Sequence, residues 1–215
     1  MEGEEFDQLV RFFDGMAMTS WLSSVHDQLQ TATGSWENLS VLDIGCGTGR
    51  FLLRGASVAN KVTGIDLSNE MIKASEQLFL RNDLQGKADF LVGDACELPF
   101  CEGMFDLTIS TCLLFLLPEP QVGLKEMLRV TKKNGTIAML NPALGMDQQQ
   151  AEKYCKTHNI TGFEYTTFLQ WATVSTKRHR YSTEALTDYL LKQGAKDVFH
   201  EQVLDGLAII TVAKL

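Results

Sequence analysis

The segment VLDIGCGTGRF, residues 41–51, constrains this chain more than any other. An apolar run stops at a loop with glycine at 45, 47 and 49. Such a run reads as a buried strand, and glycine there permits positive φ and lets a ligand rest on bare main-chain amides. Strand-like and helix-like stretches then alternate through residue 140. Val41–Ile44, Lys61–Ile65, Ala88–Val92, Phe105–Ser110 and Thr136–Leu140 read as strands, the last entered through an Asn134-Gly135 turn. Arg50–Ser57 reads as a helix. A second helix is N-capped by Ser68, with Met71, Ile72, Ser75, Leu78 and Phe79 on one face, and a third follows Pro118 with Val122, Met127 and Leu128 inward.

Strands apolar on both faces and separated by helices call for a parallel sheet covered on both sides. The carboxyl end differs. Ser182 or Thr183 opens a helix through Gln193, and Asp197–Val203 and Leu207–Val212 are strands separated by Leu204-Asp205-Gly206, an antiparallel hairpin at the sheet edge. The predicted fold is α/β and Rossmann-like, a mostly parallel sheet with helices on both faces and an antiparallel C-terminal strand. It forms one domain: a helical cap at 1–30, a cofactor-binding core at 39–141, a lid insertion at 142–181, and a final helix and hairpin at 182–215.

In open parallel sheets ligands bind beyond the carboxyl ends of the strands. A dinucleotide fingerprint would put its third glycine at position 50, where this chain has Arg50; Gly49 comes one residue early. That spacing fits a diphosphate poorly. S-adenosylmethionine needs amide donors and an acidic partner for its zwitterionic tail, and Asp43 at the end of the strand is of that kind. Asp66 lies 21 residues after Gly45, where a carboxylate accepts from ribose hydroxyls, with Leu67 and Met71 against the adenine face. Asp94 can accept from the exocyclic amine of adenine and the Ala95 N–H can reach a ring nitrogen.

In order, VLDIGCGTG, VTGIDLS, GDACELPF, FDLTISTCLLFL and LKEMLRVTKKNGTIAML resemble the motifs of class I S-adenosylmethionine-dependent methyltransferases. The likeness is to the small-molecule branch that includes the ubiquinone/menaquinone-biosynthesis enzymes. It covers roughly residues 39–141, and YSTEALTDYLLKQGAKDV resembles the last helix and strand. The resemblance implies a seven-stranded sheet, S-adenosylmethionine as cofactor and S-adenosylhomocysteine as product. It also places Asp43, Gly45 and Gly47 at the methionine moiety, Asp66 at the ribose, Asp94 and Ala95 at the adenine, and Thr111 and Cys112 near the transferring methyl, with Cys46 among the cofactor-binding residues. The alternatives are a non-catalytic protein that binds the same cofactor and an NAD(P)-dependent oxidoreductase.

Acceptor contacts are expected from the two segments outside the alternation: Met16 and Trp21, then Tyr154, His158, Tyr165, Trp171 and His179. His158, His179 and Tyr165 are the weak candidates for a base. The place after the fourth strand reads Ser110-Thr111-Cys112-Leu113 and lacks the Asn/Asp-Pro-Pro-Tyr of base N-methyltransferases. With a net charge of −8, this weighs against a nucleic-acid substrate. Five cysteines without metal spacing suggest reduced thiols, a cytoplasmic location and no metal. The acidic opening MEGEEFDQ does not read as a signal peptide, and no apolar stretch is long enough to cross a bilayer. A monomer or homodimer acting on a small-molecule acceptor is expected.

Overall fold

The computed structural model describes residues 6–215, so the stretch 1–5 of the acidic opening lies outside it. A seven-stranded sheet organises the chain, in the order β3-β2-β1-β4-β5-β7-β6. Its strands are β1 (Ser40–Ile44), β2 (Lys61–Asp66), β3 (Ala88–Val92), β4 (Phe105–Thr111), β5 (Thr131–Pro142), β6 (Asp197–Val203) and β7 (Ala208–Lys214). From β3 to β5 neighbouring strands pair in parallel, and β7 runs antiparallel to both β5 and β6. The chain order reverses between β1 and β4, the switch point where such sheets open a crevice.

Strand alternation divides the interior into two cores. Val41, Leu107, Ile109, Ala138 and Leu140 face one side, with helices α1 (Val10–Ala17), α2 (Ser20–Thr33), α5 (Gln148–Thr157) and α6 (Gly162–Thr176). Leu42, Ile44, Phe105, Ile137 and Met139 face the other, against α4 (Pro120–Val130) and α7 (Thr183–Lys192). Helix α3 (Asn69–Arg81) starts as expected: the Ser68 hydroxyl accepts from the Met71 N–H at 3.1 Å.

Three local expectations are corrected. The helix at 50–57 is a single 3₁₀ turn, Leu52–Arg54. Gly49 and Gly55 bracket it, and Gly55 lies so close to the Trp36 indole that a Cβ would come within 2.0 Å of Cε3. A longer regular helix would lose that packing. In α4 the inward residues are Leu124, Met127 and Val130, whereas Val122 is exposed and Leu128 half-buried. Met127 is inward as expected, and at the start of the helix Gly123 takes the inward place, where an added Cβ would run into Leu117 Cδ1. Strand β5 begins at Thr131, not Thr136: Asn134-Gly135 lies within it, where the register against β4 shifts between Phe105 and Leu107. The dipeptide makes a bulge rather than an entry turn.

Candidate functional site

At the carboxyl tips of β1–β4, under the first two helices, lies a cavity of about 420 Å³. One wall is main chain. Gly45 (φ +74°), Gly47 (+53°) and Gly49 (+76°) all occupy the left-handed region that favours glycine. A Cβ on Gly45 would approach Leu113 Cδ2 to 2.8 Å, so the loop packs directly against the segment after β4. A Cβ on Gly47 would meet nothing within 4 Å, because this residue borders the cavity.

The tip of β2 locks onto that loop. Asp66 accepts from the Gly47 N–H and from the Ser68 N–H, both at 2.9 Å, and burial, the largest influence, raises its pKa against those hydrogen bonds. Asp43 is fully buried at the end of β1, and neither of its carboxylate oxygens has a hydrogen-bond partner among the described residues. Burial first, and the neighbouring Asp66 second, push its pKa well above the usual carboxylate range. At the tip of β3, exposed Asp94 accepts from the Cys96 N–H at 2.8 Å, which turns the chain beneath the cavity rim. Cys112, after β4, holds φ +55° with its N–H donated to the Leu140 carbonyl at 2.9 Å, and burial lifts its thiol to about 12.

The structure brings Gly45, Cys46, Gly47, Asp66, Leu67, Met71, Asp94, Ala95 and Thr111 to the lining of this one cavity; Asp43 does not line it and is buried next to Asp66 and Cys46. It does not bring the lid aromatics there. Of the acceptor-side residues expected from sequence, Met16 borders the cavity. Trp21 and Trp171 are buried and stacked on each other at 5.4 Å, and Phe168 meets Trp21 edge-on at 5.0 Å. Tyr154 stacks on Phe168 at 4.9 Å. Large apolar rings at helical spacing go to the core when a second helix faces them, and α6 faces α2 here. His158 pairs with Asp205 at 2.8 Å on the surface, His179 is exposed in the segment before α7, and Tyr165 sits on the outer side of α6. None of these three lines the cavity.

The second wall comes from α1 and α2, through Phe13, Met16, Ala17, Leu22 and His26, with Phe51 beside them. His26 escaped sequence reasoning because one histidine on an apolar helical stripe carries no pattern. It lies one turn after Leu22 on the same stripe, and both residues border the cavity. Two acidic contacts fasten the amino-terminal segment to the cofactor side. Asp14 takes both the Nε (2.7 Å) and a terminal amine (2.9 Å) of Arg50, and Asp7 accepts from the Ser68 hydroxyl and the Glu70 N–H. Arg50, which occupies the third-glycine position of a dinucleotide fingerprint, is thus an anchor for α1.

The methyltransferase domain family matches residues 36–187. The chain belongs to this methyltransferase family. Demethylmenaquinone methyltransferase of Lactococcus lactis subsp. lactis is 28% identical over 174 residues, covering 78% of this chain and 66% of that protein. Ajmaline N-methyltransferase of Rauvolfia serpentina is 34% identical over 103 residues, covering 47% of this chain and 35% of its own. The methyltransferase therefore spans between about a third and two thirds of the length of these curated relatives. A SAM-dependent methyltransferase from Aquifex aeolicus has the same fold, with a TM-score of 0.63 at 19% identity over 87% of this chain and 88% of that one. Among the described residues of the methyltransferase, no helix is long and apolar enough to cross a membrane.

Proposed function

We propose that this chain transfers the methyl group of S-adenosylmethionine to a small-molecule acceptor. The observation that carries the reading is the buried Asp43 at the end of β1, its two oxygens unpartnered among the described residues, ahead of a loop of positive-φ glycines and next to a second carboxylate at the following strand tip. Such a site suits a ligand with a cationic group and several hydroxyl donors. A pyrophosphate would meet two carboxylates there, and no cation in the loop is free, since Arg50 is held by Asp14. The residues present therefore fit the cofactor.

In this reading Gly45, Cys46 and Gly47 offer main chain to the methionine moiety, and Asp43 supplies its negative partner. Asp66 takes the ribose hydroxyls while keeping the loop in place through Gly47. Leu67 and Met71 cover one adenine face, and Asp94 and Ala95 address its edge. Thr111 stands at the tip of β4, on the sheet face it shares with Leu107 and Ile109 and, by strand alternation, with Asp43 and Asp66. When bound, the cofactor supplies an activated methyl on sulfur. The chain aligns the acceptor and excludes water, which is where such enzymes obtain their rate.

The apolar helical wall supports an acceptor of largely hydrocarbon character. The acidic balance weighs against a nucleic acid, and five free cysteines support a cytoplasmic setting. Calorimetry with S-adenosylmethionine, S-adenosylhomocysteine and NAD tests the cofactor assignment. Binding of the first two without the third is expected, and NAD binding alone would overturn it. A labelled-methyl screen over phenols, quinols, amines and thiols then tests transfer.

A further inference from the structure

Resting on that reading, we propose that His26 is the acceptor-side catalytic residue, receiving the proton of a hydroxyl group on an otherwise apolar acceptor such as a phenol or quinol.

The two walls of the cavity divide the labour. The acids that suit a nucleoside stand at the tips of β2 and β3. Helix α2 packs instead over β5 and β7, beyond β4, so it reaches the cavity from the opposite flank of the β1 tip. A cofactor lying along the tips from β3 to β1 has its far end next to β4 and thus directed at this helical wall. Phe13, Met16, Leu22 and Phe51 give that wall apolar side chains without a titratable group. The nearby cations are already engaged: Arg50 with Asp14, and Arg54 with Asp27 and Ser23.

His26 is the exception. The residue is only 5% exposed, it borders the cavity, and its Nδ1 is buried with no hydrogen-bond partner among the described residues. Phe51 meets the ring edge-on at 5.1 Å and fixes its plane. An unsatisfied buried polar group costs stability, and among the side chains of α1 and α2 that border the cavity the imidazole is the one that can take a proton. Burial, reinforced by Arg54, holds the imidazole's pKa near 3, so the ring is neutral and a weak base that takes a proton only from an oxygen already made strongly acidic by methyl transfer. The balance is simple. A lone pair of the acceptor oxygen forms the new O–C bond while the S–C bond breaks, its pair returning to sulfur to give S-adenosylhomocysteine. The hydroxyl proton, made strongly acidic as the O–C bond forms, passes to the imidazole and from there to water.

Three probes of one shape separate the possibilities: 2-naphthol, 2-naphthylamine and 2-naphthalenethiol, each with methyl-labelled S-adenosylmethionine. The naphthol is expected to be the preferred acceptor. His26→Phe should lower kcat/KM for it by about a hundredfold or more. S-adenosylmethionine affinity, measured by calorimetry, should stay within about twofold, since His26 stands on the other wall. His26→Gln, which keeps a hydrogen-bond acceptor, should recover part of the loss. Should His26→Phe not fold, ring-¹⁵N-histidine spectra of the wild-type complex with S-adenosylhomocysteine read the contact directly: one resonance, absent from His26→Gln, must shift as 2-naphthol is added. Turnover confined to the amine or thiol, an unimpaired His26→Phe, or cofactor binding with neither turnover nor a shifted resonance would each overturn the assignment. Failure of the wild type to bind S-adenosylmethionine would remove the parent reading as well.

Discussion

The cavity has one wall made of backbone and one made of side chains, and they are held by different forces. The strand-tip wall is built on the main chain of the glycine loop, fixed by strand register, by positive φ at Gly45 and Gly47, by the Gly45 and Cys46 N–H groups donating to the Ile65 carbonyl, and by the bond from Gly47 to Asp66. The helical wall is made of apolar side chains with an imidazole among them, and α2 is held against α6 by the stack of Trp21 on Trp171 and by Glu164, which accepts from the N–H and hydroxyl of Ser20. Backbone walls tolerate almost no substitution and suit a ligand that never changes. Side-chain walls can be rewritten residue by residue, which suits a ligand that differs among relatives.

The largest effect expected from breaking this division is Asp66→Ala. It deprives the Gly47 and Ser68 amides of their acceptor and removes the carboxylate from the cavity, so affinity for S-adenosylmethionine should fall by about 3 kcal/mol, roughly a hundredfold by calorimetry. Helix-wall changes such as Leu22→Ala should leave that affinity intact while raising the acceptor KM.

The two loop glycines sharpen the contrast. Gly45→Ala carries a left-handed penalty of about 1–2 kcal/mol plus the 2.8 Å approach to Leu113, and should appear as a lowered Tm. Gly47→Ala carries the same left-handed penalty but has open space around its Cβ, so its Tm should fall less than that of Gly45→Ala and the further loss should fall on cofactor affinity. Equal Tm shifts in the two variants would refute the distinction.

Proton linkage separates the walls again. Asp43 and Asp66 both have pKa values raised in the fold, so each contributes stability that is full below its unfolded pKa and is lost as pH rises through the folded one. A cofactor that favours their ionised forms must release protons on binding, visible as a binding enthalpy that changes with the ionisation enthalpy of the buffer. His26 works in the other sense. Its pKa is depressed to about 3, so its contribution is full above the ordinary histidine value of 6.5 and is lost as pH falls from there toward 3. His26→Phe should remove that part of the acid destabilisation and leave the buffer dependence unchanged.

The smallest expected effect is Arg50→Ala. Its pair with Asp14 is about a third exposed, so global stability should change by about 1 kcal/mol or less. Limited proteolysis near residues 10–17 should nevertheless quicken, and an unchanged cleavage pattern would mean that the pair does not hold α1.

The strand-tip wall was legible because its requirements are local. A glycine triplet after an apolar run, and acids at the ends of the next two strands, are written at fixed intervals, and the structure sets Gly45, Asp66 and Asp94 around one cavity as that spacing implied. The helical wall was not legible. Trp21, Phe168 and Trp171 have the same spacing whether they face a ligand or one another, and only the docking of α6 on α2 decides between the two. His26 had no spacing to betray it at all. The errors within the fold share this origin. Residues 50–57 have helical character, yet the closeness of Gly55 to Trp36 limits them to one turn, and Asn134-Gly135 serves as a bulge because β4 and β5 continue to pair on both sides of it.

Arg50 belongs to the glycine loop, while its guanidinium is fastened to the first helix. The glycine loop and the first helix over the cavity are therefore joined by an ion pair. If a nucleoside seats at the loop and an acceptor under the helix, a shift at one end would be passed to the other through that pair, and linkage would make the influence reciprocal, by one common factor.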